Sequence, residues 1–444
     1  MSMIAGGYDA GVRLLRLLSP ALSRGSSKVA EGIRGRRGAH DALRDWGRTH
    51  RSPDRPLAWF HAPSVGEGLQ ARAVLERLQA VRPTLQSVYT FFSPSAVGLA
   101  RRMPADTAEY FPWDVAGEME ALLSALTPDF LAFTKTEVWP GVTEAAANRG
   151  TPVVLTAATL PASAGRLRLP ARILLRRTFA SLSLVTAVAD EDAERFLELG
   201  VAKERIQVTG DPGIDSAWQR VREAPAEAPY LAPFRSDPAP TLVAGSTWRP
   251  DEGQILPAFA RLRERHSTLR AVIAPHEPTS EHLGRLEAMC SELGVRTVRL
   301  SEVEEEGKIG PAEAILVDRV GILAHLYTIG SAAYVGGGFH RSGLHSVLEP
   351  AAAGVPVLFG PQHANSAAAG ELARFHGARV VRSSGELVEV LRSWLEAPEL
   401  MEETGNRAFE YIEAHRGASS RTALALAPYL PDSSQLSTDG PETA

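Results

Sequence analysis

The stretch GGGFHRSGLHSVLEPAAAGVPVLFGP, residues 336–361, contains the pattern that decides the fold. It follows the apolar run Ala332–Val335, and its helix-like LEPAAAG segment leads into a second apolar run, Val355–Phe359. This order of strand, glycine turn, helix and strand is typical of parallel α/β units, whose ligands bind beyond the carboxyl ends of the strands. Glycines there let backbone amides approach a phosphate, and Glu349 could accept two hydrogen bonds from a ribose diol. A tight turn between two core strands, with a solvated Glu349, explains the same pattern.

Size and composition indicate a globular protein of two domains. The chain has 444 residues, of which 44% are hydrophobic and 22% are charged, and this is enough for two domains of ordinary size. The net charge of −5 argues against general binding of nucleic acid. The single cysteine, Cys290, excludes an intramolecular disulfide, and its helical surroundings predict a buried small side chain.

The first 56 residues differ from the rest in charge. They hold eleven Arg or Lys against five Asp or Glu, and their start, GGYDAGVRLLRLLSPAL, interleaves arginines with leucines. Such a basic amphipathic leader could lie in a membrane interface beside anionic headgroups, or pack on its own domain. No run of 18 apolar residues predicts a membrane-spanning helix, and the leader lacks the long apolar core of a signal peptide.

After residue 56, short apolar runs alternate with helical patterns. The predicted strands are 57–62, 86–91, 130–133, 153–156, 182–187 and a short one near 208, then 241–247, 269–274, 296–300, 314–316, 332–335, 355–359 and 378–381. The alternation predicts parallel sheets in two domains, 57–222 and 241–430. A Pro- and Ala-rich linker is predicted at 223–240, and a disordered polar tail at 431–444.

Several enzyme classes are excluded by missing motifs. No GxGxxG after a strand is followed by an acidic residue about 20 positions on, which disfavours a dehydrogenase. The chain also lacks a GxxxxGK[ST] loop, an HExxH motif and a cysteine cluster, and we therefore expect no metal site. Two Rossmann-like domains facing across a cleft, the GT-B type found in nucleotide-sugar glycosyltransferases, is the predicted fold.

Two carboxylates in the first domain follow predicted strands. Glu67, in the loop after the first strand, could accept a proton from an attacking hydroxyl, or could simply stabilise the N-terminus of the next helix. Glu137, in TKTEVWPG, follows a later strand and could pair with Lys135 in a structural ion pair. Both carboxylates are candidate catalytic residues.

Turns of the second domain offer polar groups at strand ends. Their side chains and amides together predict one nucleotide pocket. The residues concerned are Ser246, Thr247, His276, Glu277, Val320, Gly321 and Ile322.

The combined motifs resemble the 3-deoxy-D-manno-octulosonic acid (Kdo) transferases of lipopolysaccharide synthesis. The resemblance extends from about residue 8 to residue 427, and its motifs keep their order. They are HAPSVGE (61–67), TKTEVWP (134–140), AGST (244–247), PHEP (275–278) and the glycine-rich stretch 336–361.

The resemblance implies a metal-independent, inverting GT-B enzyme. It implies CMP-Kdo as the donor, a lipid A precursor as the acceptor, and a peripheral location at the cytoplasmic face of the inner membrane. Glu67 matches the general base, and Glu137 a second carboxylate that assists the transition state. The positions matching the CMP-contacting loops are Ser246, Thr247, His276, Glu277, Val320, Gly321, Ile322, Gly343, Leu344, His345, Ser346 and Glu349.

The chain departs from the family pattern in places. Gly213 stands where many members have a lysine, so that a cation would have to come from Lys135 or Arg249. The pair His345-Ser346 replaces a His-Asn. Two alternatives therefore stay open: a GT-B transferase that uses a UDP-sugar on another lipid-linked acceptor, and a non-catalytic nucleotide- or lipid-binding relative.

Overall fold

Two seven-stranded parallel sheets organise the chain, each inside its own compact unit. The structure, a computed structural model, describes residues 3–25, 27–225, 227–341 and 343–431. One unit comprises the chain up to Ser216 together with the segment that begins at Gly417, and the other is Ala217–Arg416. The predicted α/β class with two parallel sheets is confirmed.

The first unit alternates strands and helices. Its strands are β1 (Leu57–His61), β2 (Gln86–Phe91), β3 (Thr107–Tyr110), β4 (Phe130–Thr134), β5 (Val153–Ala158), β6 (Leu184–Ala187) and β7 (Ile206–Val208). Its helices are α1 (Met3–Leu22), α2 (Lys28–Gly35), α3 (Ala39–Thr49), α4 (Val65–Val81), α5 (Val97–Ala100), α6 (Ala116–Leu126), α7 (Pro140–Arg149), α8 (Ala171–Ala180), α9 (Asp190–Glu198) and α10 (Pro212–Arg222), which continues past Ser216.

The second unit repeats this plan. Its strands are β8 (Thr241–Thr247), β9 (Arg270–Pro275), β10 (Thr297–Arg299), β11 (Ala314–Leu316), β12 (Ala332–Val335), β13 (Val357–Phe359) and β14 (Ala378–Val380). Its helices are α11 (Ala232–Ser236), α12 (Arg249–Arg263), α13 (Ser280–Glu292), α14 (Leu300–Glu306), α15 (Leu323–Leu326), α16 (Leu348–Ala352), α17 (Ala367–Arg374), α18 (Ser384–Glu396) and α19 (Pro398–His415). A last helix, α20 (Ala418–Leu426), belongs to the first unit.

The order of strands in each sheet defines one reversal point. The first sheet runs β3-β2-β1-β4-β5-β6-β7, and the second runs β10-β11-β9-β8-β12-β13-β14. In the first sheet the order reverses between β1 and β4, and in the second between β8 and β12. Loops that leave adjacent strands at such a point diverge and leave a crevice, where α/β proteins bind their ligands.

Two predicted domain boundaries are wrong. The predicted linker, 223–240, is part of the second unit, because its Leu231 and Phe234 are buried in that unit's core and it forms α11. The predicted second domain extends to residue 430, but α20 packs on α4 of the first unit through Ala423 and Leu426. The polar tail, from residue 432 onward, lies outside the described residues.

The sequence pattern also missed β3. This strand is at the edge of the first sheet, and each of its four residues is only half buried. An edge strand of this kind gains less from apolar side chains than a central one, so the sequence TAEY carries no hydrophobic signal.

The leader forms helices that pack on the first unit. Tyr8 Oη donates to Asp114 Oδ2 over 2.8 Å, and Asp9 accepts the Ala116 amide at the start of α6. Farther along α1, Leu14, Leu15, Leu17 and Leu18 are each between 51% and 77% exposed. In the part of the chain that the structure describes, no helix is long and apolar enough to span a bilayer.

Candidate functional site

The reversal point of the first sheet brings both predicted carboxylates to neighbouring strands. β1 is followed by Ser64 and α4, which carries Glu67 in its first turn, and β4 is followed by the loop that carries Glu137. The Ser64 hydroxyl donates a short hydrogen bond to Glu67 Oε2. Gly68 is required at this turn, because a Cβ there would lie 2.6 Å from both the Tyr89 hydroxyl and a Leu99 methyl.

The two carboxylates influence each other. Burial and, to a smaller extent, the nearby charge of Glu67 raise the pKa of Glu137 to about 7, whereas Arg166 and Arg36 act in the opposite direction. A carboxyl group whose pKa is raised to about 7 is suited to proton transfer or charge stabilisation near neutral pH. This pair is therefore the strongest candidate for acid–base chemistry in the first unit.

Arg36 is a member of this site that the sequence analysis missed. It caps the end of α2 in the leader and is only 7% exposed. Its guanidinium lies 4.2 Å from the ring centroid of Phe92, 4.8 Å from that of Trp113 and 5.8 Å from that of Trp139. Burial lowers the pKa of Arg36 to about 10, so the side chain is cationic at neutral pH.

Asp114 fixes the segment that follows Glu137. It is 1% exposed, and its two oxygens accept the amides of Gly141 and Val142 at the start of α7 over 2.7 and 2.6 Å. A Cβ at Gly141 would approach the Asp114 backbone to 2.7 Å, so a glycine is needed there. The loop that carries Glu137 is thus tied at its carboxyl end.

Lys135 and Gly213 belong to one neighbourhood of the first unit. Asp211 accepts the Gly213 amide over 2.7 Å and Gln70 over 2.8 Å. Burial raises the pKa of Asp211, and the charge of Lys135 offsets part of this shift. The backbone of Lys135 is left-handed, with φ of 73°. Of the two cations considered for the position of Gly213, Arg249 belongs to the other unit, where it pairs with Glu281.

The raised pKa of Glu137 predicts a specific dependence of stability on pH. Folded Glu137 holds its proton up to about pH 7, whereas the unfolded side chain releases it near its ordinary pKa of 4.5. The free energy of unfolding should therefore fall as the pH rises from about 4.5 to 7. In urea unfolding over this range, the fall in the free energy of unfolding with pH should disappear in Glu137→Gln and move to lower pH in Glu67→Gln. Identical profiles for the wild type and Glu137→Gln would contradict the assignment.

In the second unit, Asp251 organises the loops at the reversal point. It is fully buried and accepts four hydrogen bonds: from the Trp248 amide, the Gly337 amide, the Phe339 amide and the Tyr334 hydroxyl, at 3.0, 2.8, 3.2 and 3.1 Å. One carboxylate thus joins the turn after β8 to the glycine turn after β12. Gly337 has φ of 94°, a conformation that favours glycine.

Trp248 stacks with three histidines beside that turn. Its ring centroid lies 4.3 Å from His340 and 4.6 Å from His276, and the His276 ring lies 4.6 Å from His345. Trp248 Nε1 donates to His345 Nε2 over 3.0 Å. Because an indole nitrogen only donates, neutral His345 carries its proton on Nδ1. Burial and the neighbouring histidines lower the pKa of His345 to about 4, so it is neutral at pH 7.

A cavity of about 400 Å³ adjoins this stack. It is lined by Trp248, Arg249, Pro250, His276, Glu277, His282, Arg285 and His340. Behind it, Glu252 is 1% exposed and accepts Thr247 Oγ1 over 3.0 Å, and it contacts His282 Nε2 over 2.7 Å. The structure therefore brings together Thr247, His276 and Glu277 of the predicted nucleotide pocket.

The remaining predicted residues have other surroundings. Leu344 exchanges two hydrogen bonds with the Asn365 side chain, against which Gly343 also packs. Glu349 is 8% exposed and forms a short ion pair with Arg220 through one carboxylate oxygen. Four others, none of which lines the described cavity, are Ser246, Val320, Gly321 and Ile322, with Val320 73% exposed. Ser346 accepts the Leu348 amide at the start of α16.

Within the described ranges, no three His, Cys, Asp or Glu side chains are arranged to hold a metal ion. The sequence analysis also missed Trp248, Asp251 and Asn365. Trp248 and Asp251 lie within GSTWRPDE, whose position after a strand was the available signal. Asn365 had no comparable signal, since it is separated from Leu344 by 21 residues.

The chain is similar in sequence to several named proteins. Residues 37–216 match the family model described as 3-deoxy-D-manno-octulosonic-acid transferase (kdotransferase). The 3-deoxy-D-manno-octulosonic acid transferase of Haemophilus influenzae is 26% identical over 84% of this chain and 87% of its own length. The enzyme of that name from Bordetella pertussis is 28% identical over 87% of this chain and 91% of its own.

A solved structure supports the fold. The UDP-GlcNAc 2-epimerase from Neisseria meningitidis matches 84% of this chain and 99% of its own, with a TM-score of 0.60 and 15% identity. At this identity the likeness concerns the fold alone. The matching segment 37–216 and relatives that span most of both chains together make the chain similar to the 3-deoxy-D-manno-octulosonic acid transferases.

Proposed function

We propose that the protein transfers Kdo from CMP-Kdo to the glucosamine disaccharide of a lipid A precursor. The observation that carries the proposal is the pair Glu67 and Glu137, which follow adjacent strands, with the pKa of Glu137 raised to about 7. The similarity of the chain to Kdo transferases supports the proposed donor and class of acceptor.

The proposed chemistry assigns a different task to each carboxylate. Glu67 removes the proton from the attacking acceptor hydroxyl, and the Ser64 hydroxyl holds its carboxylate in place. Glu137, which releases its proton only near pH 7, stabilises charge that develops in the transition state. A single displacement of this kind inverts the configuration of the transferred sugar.

The proposed donor site uses neutral hydrogen-bond donors. The Nδ1–H of His345, whose Nε2 accepts from Trp248, is suited to a phosphate that gains charge as the sugar leaves, and Asp251 holds the glycine turn around Gly337 beside it. CMP carries a single phosphate, so we propose that these donors act without a metal ion.

A transfer assay tests the function. Labelled Kdo is supplied by a separate synthetase that makes CMP-Kdo in place, and a tetra-acylated lipid A precursor is the acceptor. After the synthetase has been removed, transfer is started with and without EDTA. We expect labelled product in both reactions. Product formed only in the absence of EDTA would contradict a metal-independent reaction. Transfer from a UDP-sugar instead of CMP-Kdo would contradict the proposed donor.

We also propose that α1 docks the protein on a membrane surface. Its exposed side chains Leu14, Leu15, Leu17 and Leu18 would enter the interface, and Arg13 and Arg16 would face anionic headgroups. Each buried leucine contributes about 1.5–3 kcal/mol. We therefore predict that changing Leu17 and Leu18 to glutamine lowers sedimentation with anionic vesicles at least about tenfold, whereas the same change at exposed Leu424 has no effect. Equal losses would mean that α1 is only a packing helix.

A further inference from the structure

A cavity of about 450 Å³ lies beside the leader of the first unit, separate from the loop of Glu67. Its wall contains four basic side chains, a buried serine and an indole ring. These residues are Arg16, Ser19, Arg36, Arg37, His40 and Trp113. They come from α1, from the turn after α2, from α3 and from the segment before α6, so the cavity exists only because the leader is folded on the unit.

The charges of the cavity do not cancel. Two carboxylates also reach it, but Glu118 pairs with Arg16, and Asp41 lies 3.2 Å from His40 Nδ1. Arg36 and Arg37 have no acidic hydrogen-bond partner among the described residues. The cavity therefore has a net positive charge and favours an anion.

The side chain of Arg36 is already held in a position suited to binding an anion. Its Nε donates to the Phe111 carbonyl over 2.9 Å, its Nη2 lies 3.5 Å from the Pro112 carbonyl, and aromatic rings lie against its plane. Its Nη1 has no hydrogen-bond partner within the described ranges, and the side chain lines the cavity. A rigid guanidinium with an open edge suits the oxygens of a phosphate, since little side-chain freedom is lost on binding.

The same helix offers apolar side chains next to the cavity. Arg16 and Ser19 of α1 line it, and the exposed Leu14, Leu15, Leu17 and Leu18 are on the same two turns. A ligand that joins a phosphate to acyl chains would satisfy both features at once. A small soluble phosphate would use only one of them.

We infer that this cavity binds the phosphate monoester of a lipid headgroup. In identifying that lipid as the acceptor, the inference rests on the proposed function, because Arg36 also influences Glu137 and thus links the cavity to the carboxylates. The phosphate would place the headgroup so that a sugar hydroxyl reaches Glu67.

Vesicle binding by the full-length protein tests the inference without any transfer reaction. The probes are phosphatidylcholine vesicles doped with phosphatidic acid, which carries a phosphate monoester, and vesicles doped with phosphatidylglycerol, a diester, to the same surface charge. We expect tighter binding to phosphatidic acid. Equal binding to the two vesicle types would overturn the inference, because surface charge alone would then explain it.

Variants separate the cavity from general attraction between charges. Arg37→Gln removes an exposed charge of the cavity. Arg36→Lys keeps the positive charge but removes the planar guanidinium, which can donate two parallel hydrogen bonds. Each should weaken binding to phosphatidic acid about tenfold, the effect of one lost charge-assisted hydrogen bond. The matched control is Arg48→Gln, which removes an exposed charge from α3 outside the cavity and should change binding less than about twofold. Equal losses in Arg48→Gln and Arg37→Gln would contradict a specific site.

Two further measurements identify the source of the phosphate. Calorimetric titration with inorganic phosphate should show binding much weaker than that of the lipid, and equally tight binding would overturn the assignment to a lipid. If the transfer assay succeeds, Arg37→Gln should raise KM for the acceptor and leave kcat unchanged. If that assay fails but the vesicle preference persists, the cavity is retained and only the proposed reaction is rejected.

Discussion

Replacing Glu67 with glutamine is expected to lower turnover by about 10²–10⁴-fold, the contribution of a positioned general base. Glutamine keeps the size of the side chain and can still accept a hydrogen bond from Ser64, but it cannot take a proton from the acceptor hydroxyl. CMP binding should be unchanged, because the donor loops belong to the other unit. The measurements are kcat from the transfer assay and the Kd of CMP from calorimetry.

A control on the same helix makes this result specific. Glu76 is also on α4 and pairs with Arg72 over 2.7 Å, so Glu76→Gln removes one carboxylate without reaching the loop after β1. We expect nearly normal turnover for Glu76→Gln. If Glu67→Gln also kept normal turnover, another group would have to be the base.

Replacing Asp251 with alanine should have the largest effect on the second unit. Four donors would lose their buried acceptor, and each unsatisfied group costs about 1–3 kcal/mol before the structure relaxes. We expect the free energy of unfolding to fall by about 2–5 kcal/mol, near the upper end for a single substitution. Because Gly337 and Trp248 lose a common anchor, the affinity for CMP should fall at least about tenfold.

Urea unfolding and CMP titration together check this prediction. Exposed Glu264, at the far end of α12, provides the control, since Glu264→Ala should change stability by less than about 0.5 kcal/mol. Asp251→Asn, which keeps one acceptor oxygen, should lie between the wild type and Asp251→Ala. Normal CMP binding by a folded Asp251→Ala protein would show that the loops do not depend on this carboxylate.

Local sequence patterns were sufficient to predict most of the sheet. Central strands such as β1, β4 and β12 are nearly continuous apolar runs because both of their faces are covered. The segment 223–240 misled the interpretation for a related reason. It has no period that predicts an element, yet two of its apolar side chains, Leu231 and Phe234, enter the core of the second unit.

The candidate site was predictable in its parts but not in its connections. Glu67 and Glu137 each follow a strand, whereas the adjacency of those strands depends on sheet order, which no local pattern contains. Arg36 belongs to a leader that was interpreted only through its charge and its leucines. Glu349 was expected to face a ribose, and its ion pair with Arg220 joins residues 129 positions apart.

Asp114 joins the leader to the loop of Glu137, because it accepts hydrogen bonds from Tyr8 of α1 and from the Gly141 and Val142 amides at the start of α7. Because the two contacts share one carboxylate, any effect of one contact on the free energy of the other must be returned in equal measure. If docking on a bilayer loosens the contact of Tyr8 with Asp114, it must change the proton affinity of the carboxyl groups nearby, and protonation must change the strength of docking by the same factor. The membrane would then act as an effector of the protein as well as a surface for docking.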